Sequence, residues 1–549
     1  MSRLLLILLS SAAAFAQPQI NYRGVVNAAS YMAPGLPGGS IALGSMFSIF
    51  GKGLGPSSTP ALAFPLQTTL AGVSITVSQG STTVSAIPVF LSAIQINAIM
   101  PSNAPLGKVT LRVTYNGAKS NAATVQVAAS SFGMFTANSA GMGPGIIQNY
   151  LSATETPVNQ LQLPAKHGQT EILWGTGLGP VSFPDNVAPT AGNVTQAAVF
   201  VGGVPAQVTY SGRTPCCSAI DQIAFVVPPN APSGCWVPVI VQAGNVASNA
   251  GTMAISDSGN CSEPSNALAQ GLISGGNVAS FLAARISVHE DIGVIKAGDV
   301  SADLVGGYLA SEVRGGINFN PMFSLPPAGS CTAYTVNGWF PDDVSILPGM
   351  APTGRLLDAG APSLTGSGGT SNLVTPADLG GMAFGYLGGA LSAVPALANK
   401  GYLNPGTYTL SAPGGKDIGS FQVSATVPSP LNWTNRDQLT SIDRTKPLTV
   451  NWSNAASGST VFIVGGGVDL PTNSTAFFLC VAPPGASSFT VPPVVLSNIP
   501  ASRARRLQSP AALYVGEWSF GSPANIPANG VNFGSFTTAV VGGRTVTFQ

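Results

Sequence analysis

Residues Ala93 to Gly107 read AIQINAIMPSNAPLG, an apolar strand that runs into a Pro, Asn and Gly turn. Residues Ile220 to Gly234 read IDQIAFVVPPNAPSG, so that Gln95, Pro101, Asn103, Pro105 and Gly107 return 127 positions later as Gln222, Pro228, Asn230, Pro232 and Gly234. The chain therefore carries two copies of one β unit in its first half.

Landmarks on either side repeat in the same order. Met46-Phe47-Ser48-Ile49-Phe50-Gly51-Lys52-Gly53-Leu54-Gly55-Pro56 returns as Ile172-Leu173-Trp174-Gly175-Thr176-Gly177-Leu178-Gly179-Pro180. The Gly-x-Gly-Leu-Gly spacing differs from a dinucleotide or P-loop fingerprint, and Pro closes it where a binding helix would begin, so it reads as a sharp strand turn. Val73, Ile75 and Val77 alternate with Ser74 and Thr76, and Val109, Leu111, Val113 and Tyr115 alternate with Thr110, Arg112 and Thr114. Asn116-Gly117 is a hairpin signal leading towards Ala123–Val127. Short strands separated by Gly, Pro and Asn turns, with no helical period among them, predict immunoglobulin-like β-sandwiches.

The ordered set Val26-Asn27-Ala28-Ala29-Ser30-Tyr31, the Gly-x-Gly-Leu-Gly turn, the Gln-Ile-Asn strand ending in Met100-Pro101, Phe132-Gly133-Met134-Phe135-Thr136, Pro164-Ala165 with Gly168, and Gly175 to Gly179 resembles a known family. It is similar to the secreted acidobacterial (Solibacter-type) uncharacterised C-terminal domain, whose halves resemble IPT/TIG immunoglobulin-like modules. The resemblance covers about residues 24–256. It implies an exported module with no catalytic residue to carry over, and here nearly 300 residues follow that module instead of preceding it.

At 549 residues, and roughly 100–200 per domain, three to five units are expected. The reading is all-β, about four tandem sandwich units: 24–130, 131–256, a β-rich domain at 257–427, and a C-terminal sandwich at 431–549 after the Val427-Pro428-Ser429-Pro430 linker. Ser262-Glu263-Pro264 opens a short expected helix through Leu272, and the Gly-rich 379–391 stretch reads as a packed loop. Met1-Ser2-Arg3, the apolar run to Phe15 and Ala14-Phe15-Ala16 form a secretory leader with cleavage expected near Ala16. The mature chain is expected in the periplasm or outside the cell, with no transmembrane segment.

Charge is sparse: 21 Lys and Arg face 20 Asp and Glu, while 66 Gly and 45 Pro make up about a fifth of the chain. Nucleic acid needs clustered cations to neutralise phosphates and is not an expected partner. Cys216, Cys217, Cys235, Cys261, Cys331 and Cys480 in an exported chain are candidate disulfide cysteines. A bridge from Cys216 or Cys217 to Cys235 would close a loop of about 20 residues, and with six cysteines allowing 15 connectivities the pairing stays open. Without a C-x-x-C pair, and with His167 and His289 as the two histidines, no metal site is expected.

No serine-nucleophile elbow is present, and His289-Glu290-Asp291 and Asp342-Asp343 place neighbouring side chains where they cannot converge. Arg503-Ala504-Arg505-Arg506 reads as an exposed loop. Of six Trp, Trp174 and Trp452 read as core, whereas Trp339 and Trp433 lie among Pro and polar residues where a ring can stack on a sugar. No catalytic residue and no cofactor are assigned. The expectation is an exported noncatalytic adhesion, matrix or binding protein whose partners are extracellular polysaccharide or other envelope proteins. The alternatives are a polysaccharide hydrolase with its site in 257–549 and a carbohydrate-binding module without catalysis.

Overall fold

The computed structural model describes residues 17–291, 296–337, 353–374, 386–391, 402–502 and 511–549. The expected leader through Ala16, Trp339, Asp342-Asp343 and Arg503–Arg506 lie outside the described residues. What is described is almost entirely strand, arranged as tandem immunoglobulin-like sandwiches.

In the first sandwich, β1 (Gln19–Asn27), β2 (Met46–Lys52), β3 (Val73–Gln79), β4 (Thr82–Leu91), β5 (Gln95–Ile99), β6 (Gly107–Tyr115) and β7 (Ala123–Ala128) run through two facing layers. The order is β1-β2-β5-β4-β3-β6-β7. β4 belongs to both layers: Thr82–Ala86 pair with β3, and Ile87–Leu91 pair with β5 across a bulge at Pro88 and Phe90. A bulge lets a strand bend from one sheet into the other, which is how a sandwich turns its corner. Phe47, Ile49, Ile75, Val77, Ile96, Leu111 and Val113 fill the space between. Asn116 and Gly117 take φ of 48° and 84°, the positive pair a tight hairpin turn requires. The strand this turn closes is the short Ala118–Lys119; the expected strand at Ala123 follows and pairs with β6 in its turn.

The second sandwich repeats the first strand for strand. β8 (Thr170–Thr176), β9 (Ala197–Val201), β10 (Val204–Arg213), β11 (Asp221–Val226), β12 (Gly234–Ala243) and β13 (Gly251–Ile255) take the order β8-β11-β10-β9-β12-β13. β10 again changes layer at a bulge, between Val208 and Tyr210. The strand Asp221–Val226 sits where Gln95–Ile99 sits in the first copy, as the 127-residue offset requires.

The rest of the chain is built on one long sheet. After helix α1 (Ala267–Ser274) come β14 (Gly276–Asp291), β15 (Lys296–Glu312), β16 (Ser330–Asn337), β17 (Tyr386–Leu391), β18 (Thr460–Asp469), β19 (Ser474–Val481), β20 (Ala511–Trp518) and β21 (Phe533–Thr545). Their order is β16-β19-β18-β20-β21-β14-β15-β17. The expected division into 257–427 and 431–549 is therefore crossed by a single sheet. Pro428 and Pro430 do punctuate the chain after the Gly406–Ala412 and Phe421–Val427 hairpin, but β14 pairs in parallel with β21, and β16 pairs with β19. Part of the Gly-rich stretch expected as loop is the edge strand β17.

Two small sheets lie on the same face of this long sheet. Leu364, Tyr408, Leu410 and Phe421 pack on Phe281, Val305, Phe536 and Val540, while Trp433, Val450, Trp452 and Val491 pack on Ile463, Phe478, Leu513 and Val515. The third and fourth sandwiches thus share a layer. Cys331 on β16 lies directly opposite Cys480 on β19, and the two form a disulfide spanning 149 positions. Replacing both by Ser is expected to cost about 2–5 kcal/mol through a less constrained unfolded chain. Denaturant titration checks this: the midpoint falls, and an unchanged midpoint shows that the sheet is held without the bridge.

Candidate functional site

At its β14 end the reverse face of the long sheet is covered by α1 and the loop of Met322 and Phe323, and there it forms a cleft. Asn266 caps the helix by accepting from the Ala269 N–H at 3.0 Å, and its amide donates to the Phe323 carbonyl at 2.9 Å. The helix begins at Ala267 and not at the expected Ser262, because Asn266 supplies the cap and Gln270 reaches back to accept from the Glu263 N–H at 2.9 Å. Ser265, Leu268, Met322 and Phe323 form one wall. Ser280 of β14, Ser535 and Thr537 of β21, Trp518 at the end of β20 and Phe520 form the rest. The cleft is shallow: its enclosed volume is about 10 Å³, and the surrounding space of about 270 Å³ includes open solvent.

Strand alternation selects these side chains. In β20, Leu513, Val515 and Glu517 turn to the packed face, which leaves Trp518 on the other, half-buried. Its ring meets Phe520 edge to face at 4.4 Å between centroids and Phe462 at 6.3 Å. The Ser280 and Ser535 hydroxyls share a hydrogen bond of 2.9 Å, and the Thr537 hydroxyl donates to the Phe281 carbonyl at 3.3 Å. Among the described residues the buried Trp518 indole N–H has no hydrogen-bond partner. Every lining side chain is aromatic, apolar, hydroxyl or amide, so the cleft offers aromatic rings and neutral hydrogen-bonding groups.

Of the aromatics expected to stack on a sugar, Trp433 is not part of this cleft, and Trp339 lies outside the described residues. Trp433 is buried opposite Trp452, with its N–H donating to Asn435 at 3.1 Å, so it is a core residue and has no face to lend a sugar. Trp174 is half-buried, bonded to Gln148 at 2.7 Å, and Trp452 is buried as expected. The signal for the cleft was Trp518-Ser519-Phe520 closing a strand, obscured by Glu517, which looks like a surface residue in an alternating pattern and is buried.

The cysteines pair differently from the local bridge to Cys235. Cys216 bonds to its neighbour Cys217, and Cys331 bonds to Cys480. Cys235 and Cys261 are buried thiols in one apolar cluster with Trp236, Leu272 and Phe319. The hydrogen bond with Cys261, together with burial, pushes the Cys235 thiol pKa up, so it stays protonated.

The Gly-Thr-Gly-Leu-Gly turn of the second copy does bind an anion, and the anion is the chain's own. The N–H groups of Gly177 and Leu178 donate to Asp221 Oδ2 at 2.7 and 2.8 Å. Arg213 pairs with the same carboxylate, and its other nitrogen donates to the carbonyls of Gly44 at 2.5 Å and Gly179 at 3.1 Å. His167 bonds to Asp257 at 2.7 Å and the Ala231 carbonyl at 2.9 Å. Burial pulls its pKa down, but these bonds and the Asp257 charge hold it above the ordinary value. His289 lies within β14, opposite Asp299 and Arg544 in register.

Four carboxylates of 257–549 are held by structural donors. Asp303 takes Arg285 and the N–H groups of Tyr402 and Leu403, Glu312 takes Tyr308 and Thr353, Glu517 takes the Ala456 N–H and Ser459, and Asp417 takes Arg355. Among the described residues, no group of three or more His, Cys, Asp or Glu is placed to hold a metal ion, and no helix is long and apolar enough to cross a membrane.

No protein-family model matches the chain, and no curated protein matches it. Solved structures with similar strand arrangements include the plexin A4 extracellular region, 14% identical over 45% of this chain and 19% of that one, with a TM-score of 0.17. They also include domains 5–6 of the S-layer protein SbsC, 12% identical over 44% of this chain and 99% of that one, TM-score 0.17. A third is SGBP-B from a xyloglucan utilization locus of Bacteroides uniformis, 10% identical over 88% and 87%, TM-score 0.14. The chain spans about a fifth of the plexin region it matches. Scores this low carry nothing about function.

Glu171 gives a test of the second sandwich. It is fully buried, neither oxygen has a hydrogen-bond partner among the described residues, and burial raises its pKa from 4.5 to about 9. The folded chain therefore keeps a proton that the unfolded chain releases near 4.5. The contribution of this group to stability is complete below about pH 4.5 and falls, by up to ~1.4 kcal/mol per unit, as pH rises towards about 9. Glu171→Gln, neutral at every pH, is expected to flatten that slope in denaturant midpoints taken across pH 5 to 9; an identical slope in the variant places the titrating group elsewhere.

Proposed function

We propose that this chain is an exported, noncatalytic modular β protein that binds an uncharged ligand of polysaccharide type at the cleft of Trp518 and Phe520. The observation that carries the reading is the chemistry of that cleft. Its aromatic rings suit the C–H faces of a sugar ring, and its hydroxyl floor suits sugar hydroxyls. A cleft without ionisable lining has no group to act as general acid, base or nucleophile, which supports binding over hydrolysis at that place.

The leader-like first sixteen residues and the near-neutral composition support export and an envelope or extracellular role. The four-unit sandwich architecture supports a modular part in adhesion or matrix, with the repeated 24–256 module as a spacer or docking unit. The family resemblance of that module supports the same address.

The test is retention of the purified chain on a panel of uncharged polysaccharides, beside Trp518→Ala and Phe520→Ala. Each variant is expected to lose binding by about tenfold or more, the equivalent of roughly 1.4 kcal/mol. Retention by the parent chain should not weaken between low salt and about 0.5 M, since no ion pair is involved. Full retention by both variants overturns the assignment of the cleft, retention that collapses with salt overturns the uncharged ligand, and release of reducing sugar overturns the noncatalytic reading.

A further inference from the structure

We propose that Cys216 and Cys217 are a thiol–disulfide exchange site, mounted on the loop that fastens the second sandwich to the first. The inference is independent of the cleft. Three cysteine pairs occur in the chain, and they differ in access. Cys331 and Cys480 are 3% and 0% exposed, Cys235 and Cys261 are 2% and 5% exposed, and Cys216 and Cys217 both have exposed side chains. Exchange proceeds by thiolate attack on a sulfur, so access divides the bonds into one that a solute can reach and one that it cannot.

The surroundings make this loop a fastening. Its roots, Arg213 and Asp221, are joined by the buried ion pair, and Arg213 extends to the Gly44 carbonyl of the first sandwich. Within the loop the Thr214 N–H donates to the Ile220 carbonyl at 3.2 Å and the Ile220 N–H to the Cys217 carbonyl at 3.3 Å. Two residues past the disulfide, Ala219 is buried against Leu66, Ile87 and Ile99 of the first sandwich. The Ala219 carbonyl accepts from the Thr176 hydroxyl at 2.6 Å, and that hydroxyl accepts from the Met46 N–H at 2.9 Å. The disulfide thus limits the freedom of a segment whose far end is a contact between sandwiches.

The chemistry balances with an external dithiol as reductant. One thiolate of the dithiol attacks Sγ of Cys216 or Cys217, the Cys216–Cys217 bond breaks, and the other cysteine leaves as thiolate. The second thiol of the reductant then resolves the mixed disulfide. The reductant ends as a disulfide, and the chain gains two thiols, with two electrons and two protons transferred. Oxidised glutathione reverses the reaction by the same steps.

The experiment treats the folded full chain, purified without reductant, with dithiothreitol, quenches with iodoacetamide and maps the labelled cysteines by peptide mass. Cys216 and Cys217 are expected to label at least about tenfold faster than Cys331 and Cys480, because only the former are open to attack. Labelling of the two pairs at one rate overturns the proposal, as does labelling of Cys216 and Cys217 before any reductant is added. A second measurement uses Cys216→Ser with oxidised glutathione. The remaining Cys217 thiol should take up one glutathione in the intact mass while glutathione thiol is released, and a variant that takes up none overturns the proposal even where the first result is favourable.

Discussion

The parallel pairing of β14 with β21 is the constraint on which the larger half of the molecule depends. It runs in unbroken register from Val278 opposite Phe533 to His289 opposite Arg544, and joins positions 255 apart in sequence, as at Ser280 and Ser535. Parallel neighbours cannot be joined by a tight turn. Closing so long a loop costs only slowly increasing entropy, because the cost grows with the logarithm of length. Once made, the pair turns two sets of strands into one layer. The small sheet of Tyr408 and Phe421 and the small sheet of Trp433 and Trp452 then share a floor, and the hydroxyls of the cleft come from both partners of the pair.

The two repeats show how one turn can be held in two ways. In the first copy the Gly51 N–H donates to the Ile94 carbonyl and the Leu54 N–H to the Ala93 carbonyl, so backbone satisfies backbone. Ile94 is 67% exposed, and the matching position in the second copy is Asp221, fully buried, whose carboxylate takes over the turn N–H groups. Arg213 stands at the position of Ala86 and compensates the charge. A buried ion pair is rarely more stable than an apolar replacement, but loss of one partner strands a charge and costs about 3–5 kcal/mol. Its use here is positional: Arg213 also holds the Gly44 carbonyl, and so fixes how one copy meets the other.

Local order was legible in the sequence, and distant pairing was not. The Gln95 strand, the Asn116-Gly117 turn and the tandem β units were all carried by alternation and turn residues. The division near Val427 failed because proline marks a break in the chain and not a break in the sheet. Pairing of Phe281 with Phe536 has no local signature, so two interleaved segments read as two consecutive domains. The pairing of the cysteines had no local signature for the same reason: Cys331 and Cys480 are neighbours only across β16 and β19.

The aromatics carry the remaining lesson. Trp433 stands near polar residues and a proline, which reads as a loop, yet two residues of strand suffice to turn its ring into the core opposite Trp452. Trp518 ends a strand whose inward positions are Leu513, Val515 and Glu517, so an inward carboxylate sits where alternation expects an apolar residue. The Ala456 N–H and the Ser459 hydroxyl both donate to Glu517 Oε2, while Oε1 is buried without a partner among the described residues. With those donors on the packed face, the carboxylate charge is kept away from the cleft, and the outward ring of Trp518 meets only neutral groups. A charged ligand entering that cleft would lose water and gain no counter-charge, an expense of several kcal/mol, whereas a ligand bearing hydroxyls on an apolar ring exchanges its water for like partners.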